Sequence, residues 1–248
     1  MNNSYIIRQK ARNLIKKPNF GVSLKLSAFI VIWYLLDIGV SYYRQPNRII
    51  SEHAIAETIR YAAGSVTSGL FSSVVIGIFA LGTMWGFVEW YRDKQVPEEP
   101  YAKSVRFWHG DTIRDVVVIL GVRFIFIFLW SLLLFVPGII KTYSYAQADL
   151  LFAEDVKNNR PIANATEYLT ESRELMLGHK MELFVLDLTF IGWWILMALT
   201  LGLAAIYVVP YHTAARAEFF VELRGGVDEP AVKVEVLQPK QPSFDDEL

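Results

Sequence analysis

Apolar residues fall in long blocks separated by short basic stretches, and block length decides the class of the protein before any single residue does. Two blocks, 66–88 and 116–136, reach the roughly 20 residues a helix needs to cross a hydrocarbon core about 30 Å thick. A third, 26–43, is slightly short and carries Asp37, but Trp33, Tyr34, Tyr42 and Tyr43 suit a span with one interfacial end. The block from Leu183 to Val209 holds one charge, Asp187, and as a single straight helix would reach about 40 Å, too long for one upright crossing. A hairpin turning at Thr200-Leu201-Gly202 divides it into spans over 181–199 and 203–222, the second ending in a polar half with Pro210, His212 and Arg216. Between the long blocks, Pro137-Gly138 is expected to break the third span, and 137–153 restarts as a mixed stretch that hydropathy alone does not score as a crossing.

Charge decides that case. Arg8, Lys10, Arg12, Lys16, Lys17 and Lys25 precede the first span without an acidic residue, which places the N-terminus in the cytoplasm. The loop after the second span carries Arg92, Lys94, Lys103, Arg106 and Arg114, and the stretch before Met181 carries Lys157, Arg160, Arg173 and Lys180. Both loops lie on the cytoplasmic side only if 137–153 crosses. Six spans with both termini inside is the consistent solution, and five spans, with one basic loop outside, is the alternative. The expected architecture is therefore an all-α polytopic transmembrane bundle with short interfacial helices: a basic cytoplasmic segment over 1–25, a membrane domain over 26–223, and a disordered, proline-containing cytoplasmic tail over 224–248. The first apolar block has no A-x-A-like cleavage site after it and reads as a retained signal anchor.

The composition agrees: 53% of the 248 residues are hydrophobic and 20% charged. There is no cysteine, which excludes disulfides, thiolate metal sites and a cysteine nucleophile.

The run Val136-Pro137-Gly138-Ile139-Ile140-Lys141-Thr142-Tyr143-Ser144-Tyr145 is followed by Glu171-Ser172-Arg173-Glu174-Leu175-Met176-Leu177-Gly178-His179-Lys180. Phe190-Ile191-Gly192-Trp193 and Pro210-Tyr211 come next, with Ala11-Arg12-Asn13-Leu14 near the start. In that order these motifs resemble a domain-of-unknown-function family of polytopic membrane proteins from Gram-positive bacteria, and the likeness covers nearly all of the chain except the tail. Its layout is also similar to the membrane domain attached to some glycerophosphodiester phosphodiesterases. The resemblance implies a multi-span helical bundle in a bacterial cell membrane and lends no catalytic residues.

Charges inside the blocks are the first place to look for function, since one at mid-membrane costs at least about 2.5–3.5 kcal/mol unless paired or hydrated. Depth along the six-span arrangement sorts them into two layers. Glu89, Arg123, Asp149, Asp187 and Arg216 fall in the cytoplasmic half, with Arg123 and Asp187 as candidate partners; Asp37 and Lys141 fall in the outer half as a second candidate pair. Such pairs either hold helices together or line a polar cavity open to the cytoplasm. Small residues at Ser65, Gly69, Ser73 and Gly77, then Gly82 and Gly86, make one side of the second span smooth, suited to packing inside the bundle or to a homodimer. Asn164 and Glu167, with Ile162 and Tyr168, mark the start of a cytoplasmic helix by a capping box and hydrophobic staple. Residues 5–14 form a second interfacial candidate, attracted to anionic lipid.

Enzymatic signals are weak. His53, His109, His179 and His212 sit in separate segments without ligand spacing, and no P-loop, G-x-S-x-G or dinucleotide fingerprint occurs. The pair His109 and Asp111 reads as solvated loop. No catalytic, cofactor or metal site and no nucleic-acid partner is expected. The sequence thus points to a non-enzymatic membrane protein. It either binds or passes a small or lipidic ligand through a polar cavity, or acts as an accessory, scaffold or immunity-type protein through contact with another membrane protein. The partners expected on these readings are the bilayer, such a ligand, and a partner protein or a second copy.

Overall fold

The computed structural model describes residues 2–43, 54–133 and 135–225; His53 and the tail over 226–248 lie outside these, and of Ser65 the backbone alone is described. Helices α1 (Asn2–Ile15), α2 (Phe20–Tyr43) and α3 (Ala54–Asp93) are followed by the short α4 (Pro100–Ser104) and a 3-10 turn over Arg106–Trp108. Then come α5 (Gly110–Leu133), α6 (Phe135–Ser144), α7 (Ala148–Lys157), α8 (Ala165–Leu175), α9 (Lys180–Leu188), α10 (Ile191–Leu199) and α11 (Ala205–Leu223). Among the described residues, four stretches are long and apolar enough to cross a membrane: Phe20–Val40, Phe71–Asp93, Thr112–Leu132 and Lys180–Leu199.

The helix at the centre is not one of those four. On α11, Ala205, Ala214, Ala215, Ala217, Phe219 and Phe220 are all buried, and the helix packs against α1, α2, α3 and α10. Its alanines let the neighbouring backbones come close, and being wrapped in protein it needs no lipid-compatible surface. The stretch 203–222, expected as a span, is helical from Ala205 and buried among its neighbours, and it carries Arg216, Glu218 and Glu222. The turn before it lies where the pattern placed it: Leu201 (φ 51°) and Gly202 (φ 88°) take left-handed backbone, and Gly202 N donates to Met197 O at 2.8 Å. A Cβ on Gly202 would come within 2.7 Å of Ile38 Cδ1, so the turn is seated against α2.

The Pro-Gly pair does not break a helix. The third span ends at Leu133, α6 begins at Phe135, and Pro137 sits in its first turn, where a missing N–H leaves no intrahelical bond unmade. Gly138 is buried against α5, where an added Cβ would lie 2.3 Å from Ser131 Oγ. From there α6 runs back along α5. Lys141 lies over the Trp130 ring at 4.5 Å, Tyr145 meets Phe126 edge-on at 6.3 Å, and Asp149 on α7 reaches Arg123. Rising numbers on one helix meet falling numbers on the other, so α5 and α6–α7 form an antiparallel hairpin. The interruption in the returning arm falls instead at Tyr145-Ala146-Gln147. A second interruption, at Thr189-Phe190, separates α9 from α10; Thr189 Oγ1 donates to Leu186 O at 2.6 Å, and the ladder tightens to Phe190 N donating to Asp187 O.

At the other end of the hairpins the packing is dense. The carbonyl of Leu26 on α2 accepts hydroxyls from Thr83 on α3 (3.0 Å) and Ser104 on α4, all three residues fully buried. Helix α8 starts after Asn164 as expected, although Asn164 Nδ2 bonds the Glu167 side chain (3.0 Å) in place of a reciprocal capping box, and Ile162 stays exposed rather than stapling. Tyr168, Leu169 and Met176 bury α8 against the bundle. Helix α1 also departs from a purely interfacial role: Ile7, Ala11 and Ile15, at helical spacing, are buried against α11 and α9.

Candidate functional site

The charged residues are distributed over separate centres, each built around one carboxylate. Asp187, the last residue but one of α9, faces α11, where His212 and Arg216 stand four residues apart on one side of the helix. Arg216 holds it in two-point fashion, Nη2 to Oδ2 at 2.6 Å and Nε to Oδ1 at 3.1 Å, and His212 Nε2 lies 3.1 Å from Oδ1. The His212 ring is enclosed edge-on by Phe190 (4.9 Å) and Trp194 (5.3 Å). The expected Arg123–Asp187 pair is not formed. Arg123 bonds Asp149 instead, because the returning arm α6–α7 brings Asp149 alongside α5 while Asp187 is already committed to α11. One oxygen of Asp149, Oδ1, is buried without a hydrogen-bond partner among the described residues.

The expected outer pair is also absent. Asp37 is exposed on α2 and makes no ion pair among the described residues, whereas Lys141 rests on the Trp130 and Tyr145 rings at 4.5 and 5.6 Å.

Glu89, near the end of α3, is 5% exposed and gathers four donors. Lys103 Nζ reaches Oε2 at 2.5 Å, while Arg106, Lys157 and the Trp85 indole reach Oε1 at 2.9, 3.0 and 3.1 Å. Lys103 and Arg106 belong to the basic stretch after α3, and Lys157 is the last residue of α7, where the second basic stretch begins. One carboxylate thus binds both loops to the same end of the bundle.

Glu154 is the residue the sequence reading missed. It sits on α7, is 1% exposed, and bridges Arg92 of α3 (2.9 Å) to Arg224 just past α11 (2.5 Å). Arg92 also lies over the Trp85 and Phe220 rings. Its one sequence signal is continuity: Leu150-Leu151-Phe152-Ala153 runs straight into it, so an acid closes an apolar helical stretch. Glu218, also buried, pairs with Lys10 of α1 at 2.7 Å, and Lys10 reaches Glu222 at the same distance. Burial alone would lower the Lys10 pKa, but hydrogen bonds to these two carboxylates overcome it and raise it. On α8, burial and the nearby carboxylates of Asp155 and Glu171 push the Tyr168 phenol well up, and it donates to Asp155 Oδ2 at 3.0 Å. The segments joined at this end are α1, the end of α3 and its loop, α7 with α8, and the end of α11.

The small-residue side of α3 is used within the chain. A Cβ on Gly77 would lie 2.9 Å from the Leu120 side chain, on Gly82 2.2 Å from the Ser104 carbonyl oxygen, and on Gly86 2.7 Å from Leu26 Cδ1. Those three glycines thus face α5, α4 and α2, which takes them away from any homodimer surface. Among the described residues nothing lies within 4 Å of a Cβ added to Gly69, and Ser73 is exposed. Of the remaining histidines, His109 is exposed and His179 lies 3.1 Å from Glu182. Among the described residues no group of three or more His, Asp or Glu side chains could hold a metal ion.

These centres link one helix to another. Each buried carboxylate is matched by one to three cations contributed by other helices or loops.

Residues 70–226 match a family described as protein of unknown function (DUF975). No curated protein and no solved structure matches the chain.

Proposed function

The chain belongs to the DUF975 family of proteins of unknown function, and on that premise we propose a non-catalytic scaffold of the cell membrane. It crosses the bilayer six times, keeps both termini in the cytoplasm, and acts through contact with a partner membrane protein. The supporting observation for the topology is Glu89: Lys103 and Arg106 from one basic loop and Lys157 from the other converge on a single carboxylate. Loops on one side require an even number of crossings between them, which α5 outward and α6–α7 back supply. Lys10 on Glu218 and Arg224 on Glu154 bring the N-terminal helix and the end of α11 to that same side. The excess of Lys and Arg there marks it as cytoplasmic.

The scaffold reading is favoured over ligand passage because the five residues expected to line one cavity are dispersed. Glu89, the Arg123–Asp149 pair and the Asp187–His212–Arg216 cluster have separate partners, and each is consumed in joining helices.

Purification from native membranes in a mild detergent, followed by mass spectrometry of co-purifying proteins and small molecules, tests the function. A stoichiometric protein partner supports the scaffold; a retained small solute without a protein sinks it. Because the chain has no cysteine, single cysteines in the 44–53, 158–164 and tail segments report topology without background. Labelling of the latter two from the cytoplasmic face, and of the first from outside, is expected.

A further inference from the structure

Helix α1 is docked by one stripe and open along another. Ile7, Ala11 and Ile15 are buried, and Lys10 is tied to Glu218 and Glu222. On another face, Tyr5, Arg8, Arg12 and Lys16 follow at spacings of three or four and, with Gln9 and Tyr211, line an open cleft of about 200 Å³. Among the described residues, three cations and no carboxylate line it. Arg8 donates through Nε to Tyr211 Oη at 3.3 Å, and Arg12 and Lys16 make no ion pair among the described residues. This contrasts with the rest of the charged end, where Lys10, Arg92, Lys103, Arg106, Lys157 and Arg224 all surround buried carboxylates.

Position identifies what the cleft faces. The first candidate span, Phe20–Val40, begins just beyond Lys16, which puts the cleft beside the headgroup layer. Tyr5 and Ile6, 66% and 41% exposed, add an aromatic and an aliphatic group next to the basic face, the combination that settles at a membrane–water boundary.

We infer that this cleft binds the phosphate of an anionic phospholipid headgroup, with Arg12 and Lys16 supplying the charge, Arg8 held in place by Tyr211, and Tyr5 lying toward the acyl boundary. The site is independent of the scaffold role and of the number of crossings, since it needs only α1 next to the first span.

Native mass spectrometry of the full chain in detergent, titrated with phosphatidylglycerol or phosphatidylcholine, tests it. Phosphatidylglycerol is expected to be retained about ten- to a hundredfold more tightly, the preference that two or three near-surface basic residues give. The Arg12→Gln/Lys16→Gln double variant is expected to lose the preference, Arg12→Lys to keep it, and Arg173→Gln, an exposed charge on α8, to leave it unchanged. Equal retention of the two lipids, or a preference that survives the double variant or falls equally in Arg173→Gln, overturns the assignment. Inorganic phosphate at millimolar concentration is expected not to displace the lipid; displacement would give the cleft to a soluble phosphate compound and overturn the lipid assignment.

Discussion

The two ends of this bundle are built on opposite principles. At the charged end, Glu89, Glu154 and Glu218 are buried to 5% exposure or less and clamp α1, α3, α7 and α11 together through lysines and arginines. At the other end, the hairpin tips carry Phe128, Leu132, Leu199, Leu201 and Leu203 with half or more of their surface exposed. An apolar surface of that extent has lipid as its natural solvent, and lipid makes it inexpensive. Where the bilayer supplies the environment, helix packing can be loose; where the chain emerges, ion pairs and hydroxyl-to-carbonyl bonds hold it.

The sharpest break of that contrast is Glu154→Gln. It leaves Arg92 and Arg224 facing a buried neutral group and is expected to destabilise the protein by about 3–5 kcal/mol, measured by unfolding in detergent. Next is Gly82→Ala, whose Cβ meets the Ser104 carbonyl oxygen at 2.2 Å. Overpacking of this kind costs about 1–3 kcal/mol. Gly69→Ala, whose Cβ meets nothing within 4 Å among the described residues, is the matched control and should change little. The half-buried Arg123–Asp149 pair comes third. Arg123→Asp should lose about 1–2 kcal/mol, of the order of a hydrogen bond to a charged group. Asp149→Arg in the same chain should restore most of it, and Asp187→Arg should not. A rescue by Asp187→Arg would show that the helices pair otherwise than described. The smallest effect belongs to the lipid-facing tip: Leu199→Ala should stay within about 0.5 kcal/mol in detergent. A loss as large as that of Glu154→Gln would end the distinction between the two ends.

Legibility in the sequence followed the same division. The α2, α3, α5 and α9–α10 spans were readable because lipid imposes length and apolarity on any helix it touches, and the Thr200-Leu201-Gly202 turn because glycine tolerates the left-handed backbone there. The sequence marks α11 as an apolar stretch with a polar half; the structure adds that it packs against α1, α2, α3 and α10, with its alanines and charges turned to protein. Pro137 read as a break because a proline inside a helix costs a hydrogen bond; in its actual first-turn position it costs none. Arg123 was assigned to Asp187 on depth, and depth does not say which helix stands beside which. Glu154 escaped notice because an acid one residue past an apolar stretch resembles a solvated helix end.

Taken alone, the order of residues determined that this chain is an all-α membrane protein with several candidate spans, because hydropathy acts residue by residue. Only the tertiary structure decided which charges meet. Pairing energies of a few kcal/mol act over a few ångströms, and that proximity is set by the return of α6–α7 along α5 and by the central place of α11, neither of which is written in any one segment.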